Sequence, residues 1–105
     1  MQSLDQTTFN EVRVQAVDGS SAEVGRVANL FGGNMDVELN EALPASSKVR
    51  IEFSTDCIVD GAVLSSKLHD GAYLTRIQLT CGEVAGPIGE LLLSVLSGGF
   101  STKQA

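Results

Sequence analysis

Residues 48–53 read KVRIEF, and this stretch decides the fold class because apolar and charged side chains alternate through it without a break. Val49, Ile51 and Phe53 fall on one face of such a segment, and the charged residues between them fall on the other. Alternation with a period of two is typical of a β-strand that has one buried and one solvated face. The stretch therefore predicts a strand that lies against a core.

The same alternation continues on both sides of this strand. Five further strands are predicted, at residues 12–16, 22–30, 35–39, 57–64 and 73–80. Turn-forming sequences separate several of them, and the clearest are the glycine pair at 32–33 and the HDG sequence at 69–71. Short strands joined by tight turns predict a mainly β domain, built as a small antiparallel barrel or sandwich.

The period changes near the C-terminus, where an apolar stripe has helical spacing. The stripe consists of Ile88, Leu91, Leu92, Val95 and Leu96. Positions that recur at i, i+3, i+4, i+7 and i+8 share one face of an amphipathic α-helix. We expect this helix to plug an open end of the barrel. The alternative is that part of the stripe forms a dimer or partner surface.

Composition and the chain ends limit the class of protein. A chain of 105 residues has room for one domain, and we place its core at about residues 8–97, between a polar arm and a polar tail. The net charge of −6 opposes binding to nucleic acid, which needs clustered Lys and Arg. Residues 1–10 do not have the pattern of a signal peptide, and the longest apolar stretch is far shorter than the roughly 20 residues of a membrane span. We therefore expect a cytoplasmic protein without membrane insertion.

Few side chains could carry chemistry. His69 is the single histidine, and it lies beside Asp70 in a predicted turn with no activated nucleophile near it in the sequence. Asp36 and Glu38 alternate with apolar residues, so we expect both to lie on a solvated strand face. The sequence therefore predicts no catalytic residue, and we expect that the protein is not an enzyme.

Two cysteines need separate consideration. A hairpin centred near residues 68–69 would place Cys57 opposite about residue 80, which would make Cys57 and Cys81 close neighbours. Two thiols and a single histidine cannot complete a four-ligand zinc site, so we expect no metal. Buried, reduced thiols are the expectation, and a disulfide or redox switch is the alternative.

Two segments carry a resemblance to a known family: residues 25–34 (GRVANLFGGN) and residues 41–51 (EALPASSKVRI). The first looks like the strand and loop in which PilZ domains carry a D/N-x-S-x-x-G motif. The second is similar to the acidic, small, Leu-Pro, small segment that precedes a strand of that family. In all, residues 23–79 resemble a PilZ domain. The resemblance implies a six-stranded antiparallel β-barrel with a C-terminal α-helix. It also implies a relation to bacterial signalling, because the best-known members bind cyclic di-GMP through this motif and an R-x-x-x-R arm.

This chain departs from both nucleotide motifs. Asn29 matches the first motif position and Gly33 stands at a variable one, but Phe31 replaces the Ser and Asn34 replaces the final Gly. Residues 1–10 contain no Arg. Each charge-assisted contact that is lost removes roughly 1.5–3 kcal/mol, so we expect no tight cyclic di-GMP binding and no cofactor. Asn29, Phe31, Gly33 and Asn34 remain the candidate ligand- or partner-binding residues, with Phe31 either covering the core or exposed to a partner.

Together these features predict a noncatalytic PilZ-like adaptor that acts through protein–protein interaction. The resemblance implies partners in motility, pilus or exopolysaccharide machinery. The apolar stripe of the helix is also compatible with a homodimer. One alternative is a cyclic di-GMP receptor with a divergent site. Another is an unrelated small β-barrel that serves as a structural or oligomerisation module.

Overall fold

The computed structural model describes residues 11–19, 21–94, 96 and 101–102. The elements are β1 (Glu11–Ala16), β2 (Ala22–Phe31), β3 (Asn34–Leu39), β4 (Lys48–Ser54), β5 (Cys57–His69), β6 (Ala72–Val84), α1 (Gly86–Leu93) and β7 (Ser101–Thr102). The predicted strands are thus all present. The last two barrel strands are longer than predicted, because their hairpin continues through polar residues that the alternation did not reach.

Strands β1–β6 form a closed antiparallel barrel in the order β3-β2-β1-β4-β5-β6. β1 pairs with both β2 and β4, so the first strand of the chain lies between the second and the fourth in the barrel wall. The ring closes where β3 pairs with β6, with Asn34 opposite Gln78 and Leu39 opposite Tyr73. β7 adds a short parallel pairing at the end of β6. The mainly β class and the six-stranded barrel with a C-terminal helix are therefore confirmed.

The core occupies the inside of the barrel and is built from the predicted apolar faces. The buried residues alternate along each strand, as shown by Val12 and Val14 in β1 and by Val49, Ile51 and Phe53 in β4. The remaining members of the core come mainly from the other strands: Met35, Val37, Leu39, Cys57, Val59, Val63, Ile77 and Leu79. Mostly aliphatic side chains fill the barrel.

The C-terminal helix packs against one end of this core. Leu92 has no exposed surface, and Ile88 and Leu96 are half-buried against the same cluster. α1 contacts β5 and β6, so the prediction that the helix covers an end of the barrel is confirmed. The helix ends at Leu93, which is earlier than the stripe suggested; Val95 lies outside the described residues. In the described part of the chain, no helix has the length and apolar character to cross a membrane.

The β5–β6 hairpin contains two bulges that cancel each other. Its turn is at Asp70–Gly71, and both residues have positive φ, 52° and 83°. Register shifts between Val63 and Ser65 and between Asp60 and Gly61 add one residue to β5 and one to β6. Beyond both bulges the pairing therefore returns to the register that the turn sets.

Gly61 lies where the two strands of this hairpin approach each other closely. A Cβ at Gly61 would lie 2.7 Å from the carbonyl oxygen of Gln78 in β6. That contact is with backbone, which cannot yield as a flexible side chain can. Gly61 therefore marks both a bulge and a close approach of two strands.

Candidate functional site

The segment that resembles the PilZ motif forms the end of β2, a tight turn and the start of β3. Gly32 and Gly33 are the two central turn residues, with φ of 53° and 85°. Positive φ at both positions defines a two-residue hairpin turn whose twist matches that of the strands, and glycine adopts it without strain. The turn places Phe31 directly opposite Asn34. The Gly33 carbonyl accepts a hydrogen bond from the Leu79 N–H at 2.8 Å, which holds the turn against β6.

Three of the four candidate side chains lie on the outer face of the barrel. Asn29 is exposed and pairs with Asp36, and Phe31 keeps 39% of its surface exposed. Asn34 is half-buried between Phe31 on one side and Gln78 on the other. Of the two roles considered for Phe31, the structure agrees with the exposed one, because the ring is not part of the core cluster.

The fourth candidate, Gly33, has no side chain to offer and is buried in the turn. Its contribution is geometric, because its backbone sets the turn and anchors it to β6.

Asp36 contradicts the expectation of a solvated acidic face. Only 5% of its surface is exposed, and its carboxylate binds the guanidinium of Arg76 through two hydrogen bonds, Nε–Oδ1 at 2.8 Å and Nη2–Oδ2 at 3.1 Å. Arg76 lies directly opposite Asp36 across the β3–β6 closure. Its long side chain therefore covers a carboxylate that points away from the core. Glu38, two residues further along β3, is half-buried.

Arg76 joins this ion pair to the candidate residues. Its guanidinium carbon lies 5.2 Å from the centre of the Phe31 ring, which is within the range of a cation–π contact. Hydrogen bonding to Asp36, assisted by the negative charge of that carboxylate, raises the pKa of Arg76 above its ordinary value. We call Asn29, Phe31, Asn34, Asp36 and Arg76 the β2–β3 surface. Sequence reasoning missed Arg76 because the pairing of β3 with β6 is not local.

The arrangement offers an aromatic face, a fixed guanidinium and two amides on a rigid sheet. Because Asp36 balances the charge of Arg76, the surface does not present an uncompensated cation to a phosphate group. Aromatic and Arg side chains held in this way are typical of the residues that dominate protein–protein interfaces. The chemistry of the surface favours contact with a protein.

The remaining residues considered for chemistry lie elsewhere. His69 is exposed at the tip of the β5–β6 hairpin, where its Nε2 lies 3.4 Å from Oδ2 of Asp70. Within the described residues, no group of three or more His, Cys, Asp or Glu side chains could hold a metal ion. These residues therefore do not extend the β2–β3 surface.

The expectation that Cys57 and Cys81 are neighbours is wrong. Cys57 lies opposite Val84, and Cys81 lies opposite Asp60, because the turn is at 70–71 rather than at 68–69. Both thiols are free. Cys57 faces the core, and burial raises the pKa of its thiol to about 11. Cys81 lines the outer face, with its Sγ 3.9 Å from Oδ2 of Asp60.

An open groove of about 450 Å³ runs along the outer face of β4, β5 and β6. Lys48, Arg50, Asp60 and Cys81 are among its lining residues. Nε of Arg50 lies 3.1 Å from Oδ1 of Asp60, so the charges in the middle of the groove are paired. The ion pair of Arg50 with Asp60 therefore leaves neither of these two charges uncompensated in the groove.

Comparison of the chain with known proteins gives no match to a protein family, to a curated protein or to a solved structure.

Proposed function

We propose that the protein is a noncatalytic adaptor that acts through protein–protein contact at the β2–β3 surface. The observation that carries this proposal is the contact of Phe31 with Arg76, whose guanidinium is fixed by Asp36. An exposed aromatic ring and an ordered arginine lose little conformational freedom when a partner binds. A partner that offers an apolar side chain to Phe31 and a hydrogen-bond acceptor to Arg76 fits this surface.

The same contacts argue against tight binding of cyclic di-GMP. A guanidinium binds phosphate most strongly when it can direct its N–H donors at the oxygens, as in a bidentate pair. Arg76 already directs Nε and Nη2 at Asp36. A nucleotide would have to displace that carboxylate or bind beside it, in a protein with a net charge of −6. Phe31, which replaces the motif serine, supplies no hydrogen bond in compensation.

A PilZ-like identity, a cytoplasmic location and a partner in motility, pilus or exopolysaccharide machinery are parts of this proposal. The support for the PilZ-like identity is that the barrel and its terminal helix have the architecture that the resemblance implies. The resembling motif also falls at a strand end and a turn. Architecture by itself does not establish function, because one fold can host unrelated activities.

A photo-crosslinking amino acid at position 31 tests the adaptor role in cells of the native host. Position 24 is the matched control, because Val24 lies on the same strand and is 60% exposed. We expect one defined protein to be crosslinked from position 31 and not from position 24, and Arg76→Ala to abolish that product. Equal crosslinking from both positions would contradict a specific contact.

Titration calorimetry with cyclic di-GMP tests the second half of the proposal. We expect no binding with a Kd of about 1 µM or tighter, the affinity that corresponds to roughly 8 kcal/mol. Binding at that strength would favour the receptor with a divergent site. A monodisperse oligomer by light scattering, together with failure of the crosslinking experiment, would instead favour the structural module.

A further inference from the structure

One edge of the barrel wall is not paired in the described part of the chain. β5 pairs with β4 only from Cys57 to Ala62, and Val63 then exchanges backbone hydrogen bonds with Ser46 and Ser47. Beyond Val63, β5 continues to His69 with β6 on one side and no described strand on the other. Among the described residues, the last part of β5 therefore has a free edge.

The turn determines which backbone groups point to that edge. In a two-residue hairpin the residues that flank the turn, here His69 and Ala72, form a hydrogen-bonded pair. Alternation along the strand then directs the backbone N–H and C=O of Lys67 toward β6. It directs the backbone N–H and C=O of Ser66 and Leu68 away from β6. A strand edge with free donors and acceptors is a template for pairing with another chain.

Side chains beside these groups are also available for contact. Leu68 is 68% exposed and Leu64 is 44% exposed, so both side chains are accessible to a partner. Lys67 is exposed, and none of the ion pairs in the described chain includes it. The edge thus combines open backbone groups, apolar side chains and an unpaired positive charge.

We propose that this edge, residues 64–69, binds an extended segment of a partner protein by strand addition. The segment carries an acidic residue between two apolar residues. In an antiparallel pairing, the partner residue opposite Lys67 occupies a pair without hydrogen bonds, where opposing side chains approach most closely. A carboxylate fits that position, because opposite charges directly across a sheet stabilise it. The two neighbouring partner residues then point to the same side as Leu68, where apolar side chains fit.

Charge also argues against a second copy of this chain as the occupant. If two copies paired so that both used Ser66 and Leu68, symmetry would place Lys67 directly opposite Lys67. Like charges at that separation destabilise a strand pair, and lysine on an edge is a known protection against self-pairing. This inference goes beyond the proposed adaptor function, because it depends on β5 and uses none of the β2–β3 surface.

Nuclear magnetic resonance of the full chain with two matched peptides tests the proposal. The probes are the capped peptides STVEVTS and STVKVTS, which differ only in the central charge. We expect fast hydrogen exchange at Ser66 and Leu68 in the free protein. The Glu peptide should shift the amide signals of these two residues and slow their exchange. The Lys peptide should bind about five-fold more weakly, in line with cross-strand charge effects.

Two variants make the outcome specific to the edge. Lys67→Glu should reverse the order of the two peptides. Leu68→Pro removes an N–H that faces the free edge, so it should abolish binding while the remaining spectrum stays folded. Slow exchange of Ser66 and Leu68 in the free protein, peptide shifts elsewhere, or an unchanged order with Lys67→Glu would overturn the proposal. Dimerisation of the wild type through this edge would overturn it as well, in favour of a second copy.

Discussion

Asp36 and Arg76 form an ion pair whose two members differ in exposure. The Asp36 side chain is 7% exposed, whereas that of Arg76 is 47% exposed. Arg76→Gln would leave a buried carboxylate without its cation, and we expect it to lower the free energy of unfolding by about 2 kcal/mol. This is less than the 3–5 kcal/mol typical of a fully buried pair, because water can reach the vacated side.

Arg50→Gln is the matched control for this prediction. Arg50 pairs with Asp60 at 3.1 Å, but its side chain is 55% exposed. Exposed pairs contribute about 0–1 kcal/mol, so the loss should be within that range. Urea unfolding followed by circular dichroism gives both values, provided that the slope m is unchanged. Equal losses for the two variants would show that burial of Asp36 does not strengthen its pair.

Cys57 and Cys81 should differ in reactivity. With Cys81→Ser, the remaining thiol should resist iodoacetamide at pH 8 until urea unfolds the chain, because Cys57 is fully buried and reacts only as the thiolate. With Cys57→Ala, the remaining thiol should react in the folded protein. Mass spectrometry of timed samples measures both rates. Similar rates in the two folded variants would contradict the assignment of Cys57 to the core.

The same thiol makes stability depend on pH at the alkaline end. Burial raises the pKa of Cys57 from 9.0 to about 11, so the folded chain keeps a proton that the unfolded chain has already released. A raised pKa in the folded state means that stability is complete below pH 9 and declines as the pH rises to about 11. Urea midpoints across this window should fall less in Cys57→Ala than in the wild type.

At the scale of single elements, α1 contributes to stability through one face. Leu92 is fully buried, and its neighbour Leu93 is 45% exposed. We expect Leu92→Ala to lower the free energy of unfolding by about 2–4 kcal/mol, because it removes core contacts and leaves a cavity. Leu93→Ala should change it by less than about 1 kcal/mol. If the two substitutions had equal effects, the helix would not close the barrel end.

The strands were largely predictable from the sequence, whereas their registers were not. Alternation identifies the inner face of β4 from Val49, Ile51 and Phe53 alone, because the period of two is a local property. The pairing of Cys57 with Val84 depends on where the hairpin turns. Our prediction places its centre at 68–69, whereas positive φ at Asp70 and Gly71 places it at 70–71.

The candidate surface was predictable only in part, for a related reason. The turn at Gly32 and Gly33 could be read from the sequence, because positive φ favours glycine. Asp36 and Arg76 are separated by 40 residues in the chain and meet only after the ring has closed. A single sequence gives no sign of that contact, so alternation alone predicts a solvated Asp36.

At the scale of the whole molecule, closure requires pairings between distant parts of the chain. β1 pairs with β4, and β3 pairs with β6, in addition to the local hairpins. Contacts of this kind must overcome loop-closure entropy before they stabilise the fold, so refolding should take milliseconds to seconds. Stopped-flow circular dichroism measures the rate. Complete refolding in microseconds would contradict the prediction.

The β3–β6 closure also has a consequence during protein synthesis. β1 to β5 emerge from the ribosome before β6 does, and until β6 emerges β3 has no partner on one side. The nascent chain therefore carries an open sheet whose apolar inner face is not enclosed and still lacks Ile77 and Leu79 of β6. Emergence of residues 72–84 is the step that turns this sheet into a barrel, so a pause in synthesis before they emerge, or truncation within them, would prolong exposure to chaperones and to aggregation.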